Sequence, residues 1–297
     1  MAYELTNLLQ DVYAELGQLS SHKVTGGSTT TVVDSNLTDY KNKDVEDGVL
    51  FVTYDVAGAG AAPEGQFEII DTFTASSGTF NLRAALTAAV AATDHYAFTT
   101  PRYPLYAVIQ NVNRALFDLG DLPQVDTTTL DTASNQTEYT QAVAWKRNTF
   151  RVDMQGRTND ADDNKWVPIW SWEDVPAAGG TAGKIEMEKQ LLSGRDVRIW
   201  YWDVHAKVRA YNDDINEYIH PALAKWASVK ACLQWMNGQQ NGQDRGVLQD
   251  LNNAKVEYEM AFRKHPIGQQ FKKQGKRNKL FILSAPYKEN YKAPDPA

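Results

Sequence analysis

Five histidines, His22, His95, His205, His220 and His265, and a single cysteine, Cys232, are the residues of this 297-residue chain best suited to metal or nucleophile chemistry. A structural zinc site needs four such ligands, commonly in closely spaced pairs. The histidines are scattered, none stands at ligand spacing from another, and Cys232 has no second thiol to join it. Asp160-x-Asp162-x-Asn164 matches the first three ligand positions of a calcium loop. Lys165 stands where that loop needs glycine, however, and Ser171 where it needs a bidentate glutamate, so an acidic hairpin loop kept polar for solubility is the simpler reading. "GAGAAPEG" (Gly58 to Gly65) has the glycines of a phosphate loop, but such a loop must open a helix whose N–H groups face the anion. The segment that follows it, "QFEIIDTF", alternates like a strand. No GxSxG, GxxxxGK[ST] or HExxH occurs, and no pair among the 37 acidic residues is set apart by its context. The expectation is a protein that is not an enzyme, with no catalytic residue, cofactor or metal.

Aromatic residues offer a different chemistry. Trp145, Trp166, Trp170, Trp172, Trp200 and Trp202 fall within 123–211. Exposed on a sheet, Trp170, Trp172, Trp200 and Trp202 would stack on sugar rings. Buried, they would fill the core of a small sandwich, the commoner fate of tryptophan. In Trp200-Tyr201-Trp202, strand alternation puts the two tryptophans on one face and the tyrosine on the other.

The end of the chain is charged in a way the rest is not. From Arg263 onward nine basic residues face two acidic ones, giving +7, which leaves −14 on the remainder of a chain whose net charge is −7. An acidic whole argues against a general nucleic-acid binder. "FKKQGKRNKLFILSAPYKENYKAPDPA" sets Lys272, Lys273, Lys276, Arg277 and Lys279 before the apolar run Leu280-Phe281-Ile282-Leu283. A 27-residue extended arm reaches at most about 90–95 Å. Its apolar run, worth roughly 1.5–3 kcal/mol per residue when buried, needs a partner. Phe271, Tyr287 and Tyr291 join these residues as candidate partner-binding positions. "KLFILSA" also has the propensity to add a strand to an open sheet edge, and its lysines would steer it to an acidic surface.

These features must be carried by recognisable elements. In "YELTNLLQDVYAELGQL", Leu5, Leu8, Leu9, Val12, Tyr13 and Leu16 form one helical stripe, which Gly17 ends. Residues 20–100 turn to short threonine-, valine- and phenylalanine-rich runs introduced by glycine, the pattern of a small barrel or sandwich. A second helix covers 104–120, with Leu105, Val108, Ile109, Val112 and Leu116 on its stripe. Strand patterns return over 123–211. Helices follow over 213–237, capped by Asp213 or Asp214, and over 244–264, where Val256 and Tyr258 blur the stripe.

Helices this short need partners, and each other is the expected choice. The expected fold is therefore α+β: a helical bundle with two inserted antiparallel β modules, each a barrel or sandwich, and an extended C-terminal arm. The divisions are 1–19, 101–122 and 212–266 for the helical core, 20–100 and 123–211 for the β modules, and 267–297 for the arm. The chain lacks an apolar run of the roughly 18 residues a membrane span requires, and its acidic start does not read as a secretory signal.

"GGSTTTVVDSNLTDYKNKDVEDGVLFV" and the strands after it resemble the inserted β domain of virion proteins of tailed bacteriophages. "FRVDMQG…KWVPIWSWEDV…GRDVRIWYW", followed by "IHPALAKWASVKACLQWM", is similar to the β module and closing helices of the same proteins. Such chains resemble head–tail connector proteins, also called adaptors or neck proteins. The resemblance spans roughly residues 1–266. It implies a homo-oligomeric ring beneath the portal protein, a C-terminal extension reaching the portal or a neighbouring subunit, and contacts with other neck and tail proteins. It further implies a place at the head–tail interface of the virion after assembly in the host cytoplasm, with DNA passing nearby without specific binding. A carbohydrate- or receptor-binding β protein of a tail tip or fibre is the alternative expectation.

Overall fold

The computed structural model describes residues 3–37, 39–131, 137–140, 149–155, 166–175, 183–188, 196–240, 242 and 244–267. They divide into two compact units, one formed by 3–120 with 204–267 and the other by Asp121–Asp203.

The first unit begins with α1 (Leu5–Glu15), whose Leu5, Leu8, Leu9, Val12 and Tyr13 are fully buried. No side chain caps its N-terminus; the N–H groups of Leu5 and Thr6 instead donate to the carbonyls of Asp213 and Tyr211. Gly17 ends the helix at φ +64°, a conformation that favours glycine. Seven strands follow: β1 (Ser20–Lys23), β2 (Gly26–Gly27), β3 (Thr31–Val33), β4 (Val49–Tyr54), β5 (Phe67–Thr74), β6 (Thr79–Leu82) and β7 (His95–Phe98). One turn of helix, α2 (Asn42–Val45), interrupts them.

Their order is β1-β7-β4-β5-β6-β3-β2, every pairing antiparallel. The two edge strands are consecutive pieces of one segment, 20–27, whose first half pairs with β7 and second half with β3. Thr25 N–H still donates to Val33 and Val24 N–H to Asp94, so this segment joins both edges and the sheet closes into a barrel. β5 turns a second corner, pairing with β4 through Phe67–Ile69 and with β6 after a register shift near Ile70. Closure removes the exposed edges that would otherwise template aggregation. Leu50, Val52, Ile70, Phe73, Phe80, Tyr96 and Phe98 fill the interior. At the β5–β6 turn Gly78 has φ +61°, and a Cβ there would lie 1.8 Å from the Asp34 carbonyl oxygen.

α3 (Leu105–Asp118) follows; after the second unit the chain returns through an extended stretch to α4 (Pro221–Gln239) and α5 (Arg245–Lys264). α4 is buried around most of its circumference, from Leu223 and Ala224 to Cys232 and Leu233, because α1, α3 and α5 all pack on it. It starts at Pro221 rather than at 213. Proline lacks the N–H a later turn would need and disfavours helix at the residue before it, so His220 is the cap and its Nδ1 accepts from Ala222 N–H. α5 is capped by Asp244, which accepts from Gly246 and Val247.

The second unit holds β8 (Leu122–Asp131), β9 (Glu138–Thr140), β10 (Thr149–Gln155), β11 (Trp166–Ile169), β12 (Trp172–Val175), β13 (Lys184–Met187) and β14 (Asp196–Asp203). They form a four-stranded sheet, β11-β10-β14-β8, and a three-stranded sheet, β12-β13-β9. Val152, Val197 and Ile199 from the first and Tyr139, Ile185 and Met187 from the second share one core, which makes the unit a sandwich.

The expected helical bundle with inserted β modules is therefore incorrect: among the described residues antiparallel sheet, fourteen strands in three sheets, is the main architecture, with only five helices. The helices do need partners, but a sheet supplies part of that need. β4 is buried on both faces, Leu50 and Val52 into the barrel and Phe51 outward against Tyr13 of α1, at 5.9 Å between ring centroids. The arm expected over 267–297 lies outside the described residues beyond Ile267.

Candidate functional site

Two surfaces gather side chains that can recognise a partner. The first is a groove of 760 Å3 on the first unit, between α3 and the extended segment 204–209. The core face of α3 carries Val108, Val112, Ala115 and Leu116. Tyr106, Gln110, Asn113 and Phe117 recur at i, i+4, i+7 and i+11 on the opposite face, where Tyr106 is 73% and Phe117 58% exposed. Asn113 fixes the other wall: its Nδ2 donates to Val208 O at 2.8 Å and its Oδ1 accepts from Val208 N–H at 2.8 Å. His205 holds the same segment to the chain beyond, accepting Asn216 N–H on Nε2 at 3.0 Å while Nδ1 faces the Ala206 carbonyl. That pattern requires the neutral ring with its proton on Nδ1, and burial lowers the imidazole pKa accordingly. Asp213 completes the strut, accepting the N–H groups of Arg209 and Ala210, which hold its carboxyl below the usual range.

Arg114, Lys207 and Arg209 line this groove, no acidic side chain does, and none of the three has an ion-pair partner among the described residues. The groove is thus an apolar, aromatic trough with a cationic rim on an otherwise acidic protein. α5 repeats the outward apolar theme. Leu251, Ala254 and Ala261 face the core, while Val256 and Met260 lie on the opposite side and are exposed.

The second surface is the outer face of the β11-β10-β14-β8 sheet. Asp153 is fully buried beneath it and accepts from Arg151 Nε at 2.6 Å, Arg198 Nε at 2.9 Å and Trp200 Nε1 at 2.9 Å. Pairing of Asp153 with Arg198 across β10 and β14 brings these groups together. The Arg198 guanidinium lies 4.4 Å from the Trp166 ring and 5.2 Å from the Trp200 ring, a tryptophan–arginine–tryptophan stack. Phe150 packs on Trp202 at 4.8 Å.

The sequence-derived candidates separate on these surfaces. Trp200 and Trp202 project from the outer face, partly buried, while Tyr201 turns in to the core, as alternation requires. Trp172 packs against the sandwich core, and Trp170 is 49% exposed. Phe271, Lys272, Lys273, Lys276, Arg277, Lys279, Leu280, Phe281, Ile282, Leu283, Tyr287 and Tyr291 lie outside the described residues, as do Asp160, Asp162 and Asn164. Cys232 is buried, and desolvation pushes its thiol up to about 12. Among the described residues no group of three or more His, Cys, Asp or Glu can hold a metal ion, and no helix is long and apolar enough to cross a membrane.

Sequence reasoning missed the groove and the Asp153 network. The outward spacing of Tyr106 and Phe117 was present in the sequence, as was the blurred stripe at Val256. The strut 204–209 and the β10–β14 register were not. Comparison of the chain with protein-family models and with curated proteins finds no match in either.

Proposed function

We propose that this chain is a structural, non-enzymatic protein of a tailed-phage virion. Copies form a ring that joins the portal to the neck or tail, and the C-terminal arm docks on the portal or a neighbouring subunit. The observation that carries the reading is the helix surface facing away from the core. Tyr106 and Phe117 on α3, and Val256 and Met260 on α5, are large apolar side chains held on rigid helices and left in solvent by the single chain. Such surfaces mark contacts between proteins. The acidic body and the +7 segment from Arg263 onward add a charge complementarity that neighbouring copies can use.

Removal of 271–297 tests the role of the arm. The truncated chain keeps its fold, read by circular-dichroism melting, and it loses association with the portal protein of the same phage in co-sedimentation. Undiminished association removes the arm from the account.

A second reading, a glycan- or receptor-binding protein of a tail tip, is favoured by the Trp166–Arg198–Trp200 stack, an aromatic face of the kind sugars use. A shift of tryptophan emission on titration with host-surface glycans, at unchanged portal association, distinguishes it.

A further inference from the structure

A smaller cleft of 340 Å3 lies on the first unit where α3, α4 and α5 meet. Two matched stripes build it. Asn111, Arg114, Ala115 and Asp118 follow at i, i+3, i+4 and i+7 on α3, as Ala227, Lys230, Ala231 and Gln234 do on α4. The three alanines pack together as its floor, with Tyr258 of α5 against them. Such small residues leave room between the longer polar side chains.

The charged groups of the cleft are not paired with one another. Arg114 and Asp118 stand at the i, i+4 spacing of a helical ion pair. Among the described residues neither forms one, and Lys230 has no carboxylate partner either. The Lys230 ammonium instead lies 3.6 Å from the centre of the Tyr258 ring. Desolvation lowers its pKa, Asp118 partly offsets that and Lys255 adds to it, so an arriving anion favours a charge that burial penalises.

The lining also fixes the class of ligand. Arg114 and Lys230 against Asp118 give a charge of 2 − 1 = +1. Asn111 Nδ2 donates to Ala107 O at 2.9 Å, which leaves its Oδ1 to accept, and the Asp118 carboxylate accepts as well. A phosphate would satisfy the cations and meet two acceptors to which it has nothing to donate. A ligand of net charge −1 that carries both a carboxylate and an N–H donor satisfies all of them.

We infer that this cleft binds an acidic amino-acid unit, aspartate or glutamate, free or as a residue of a partner protein. Lys230 and Arg114 take the side-chain carboxylate, and Asp118 and Asn111 accept from the N–H groups of the same unit. Its body rests on the alanine floor and Trp235. The inference goes beyond the ring reading and does not depend on it.

Isothermal titration calorimetry on the full chain is the test. The probes are L-aspartate and L-glutamate, together with their N-acetyl α-amides, which present the side chain as a peptide does. One site per chain is expected, and binding of the free or the blocked form identifies the source. Succinate and glutarate, dianions with no N–H, bind about tenfold more weakly. Lys230→Met weakens the amino-acid unit about tenfold, with its fold checked by circular-dichroism melting. Asp118→Asn separates recognition from bulk charge: it weakens the amino-acid unit and strengthens the dianions. Absence of binding by every probe, undiminished binding by Lys230→Met, or an Asp118→Asn variant that strengthens all the ligands alike overturns the inference. Each of these outcomes leaves the ring reading standing.

Discussion

His205 and His265 are two side chains through which mild acid acts on this fold. His205 accepts a backbone hydrogen bond on Nε2, and its pKa is lowered by burial. His265 stacks on His220 at 3.5 Å between centroids, and its pKa is lowered by desolvation first and then by the neighbouring imidazole and Lys264. A base whose folded pKa lies below its unfolded value near 6.5 binds more protons when unfolded. Stability is therefore complete above about pH 6.5 and declines as pH falls through that value toward the folded pKa. Urea midpoints should drop between pH 7 and pH 5, and His205→Gln should flatten part of that dependence; an unchanged slope in the variant would remove His205 from the account. The same scale shows what sequence hides. Trp200 and Trp202 were legible as a pair on one face because strand alternation is local. Asp153 was not, because its ligands Arg198 and Trp200 lie 45 and 47 residues away and meet it only through strand register.

Elements were legible wherever a stripe and a stop coincide. The helices starting near Leu5, Leu105 and Arg245 and ending near Gly17, Gly120 and Pro266 follow from apolar spacing and termination chemistry. The partner of each stripe was not legible, since an apolar face does not specify whether a helix or a sheet will cover it. The outer face of β4 covers part of α1, with Phe51 and Tyr13 fully buried at the contact. Phe51→Ala should therefore cost about 3–5 kcal/mol, as large core truncations do. The loss is read as a lower urea midpoint. A loss below about 1 kcal/mol would mean that α1 is held by α4 alone. Barrel closure was hidden for a related reason: nothing local in residues 20–27 announces that one segment pairs at both edges.

At the scale of the molecule, charge and exposed apolar surface point the same way. The chain carries −14 on its body and +7 from Arg263 onward, and it turns aromatic residues outward on α3. In the proposed ring the outward helix faces meet neighbouring proteins, and the arm meets the portal or a neighbour. Imaging of the purified virion neck is the direct test of that claim. The account predicts a closed ring of this chain beneath the portal, with the arm of each copy running to the portal or an adjacent subunit. Density for this chain at a tail tip or fibre, with none beneath the portal, would contradict it.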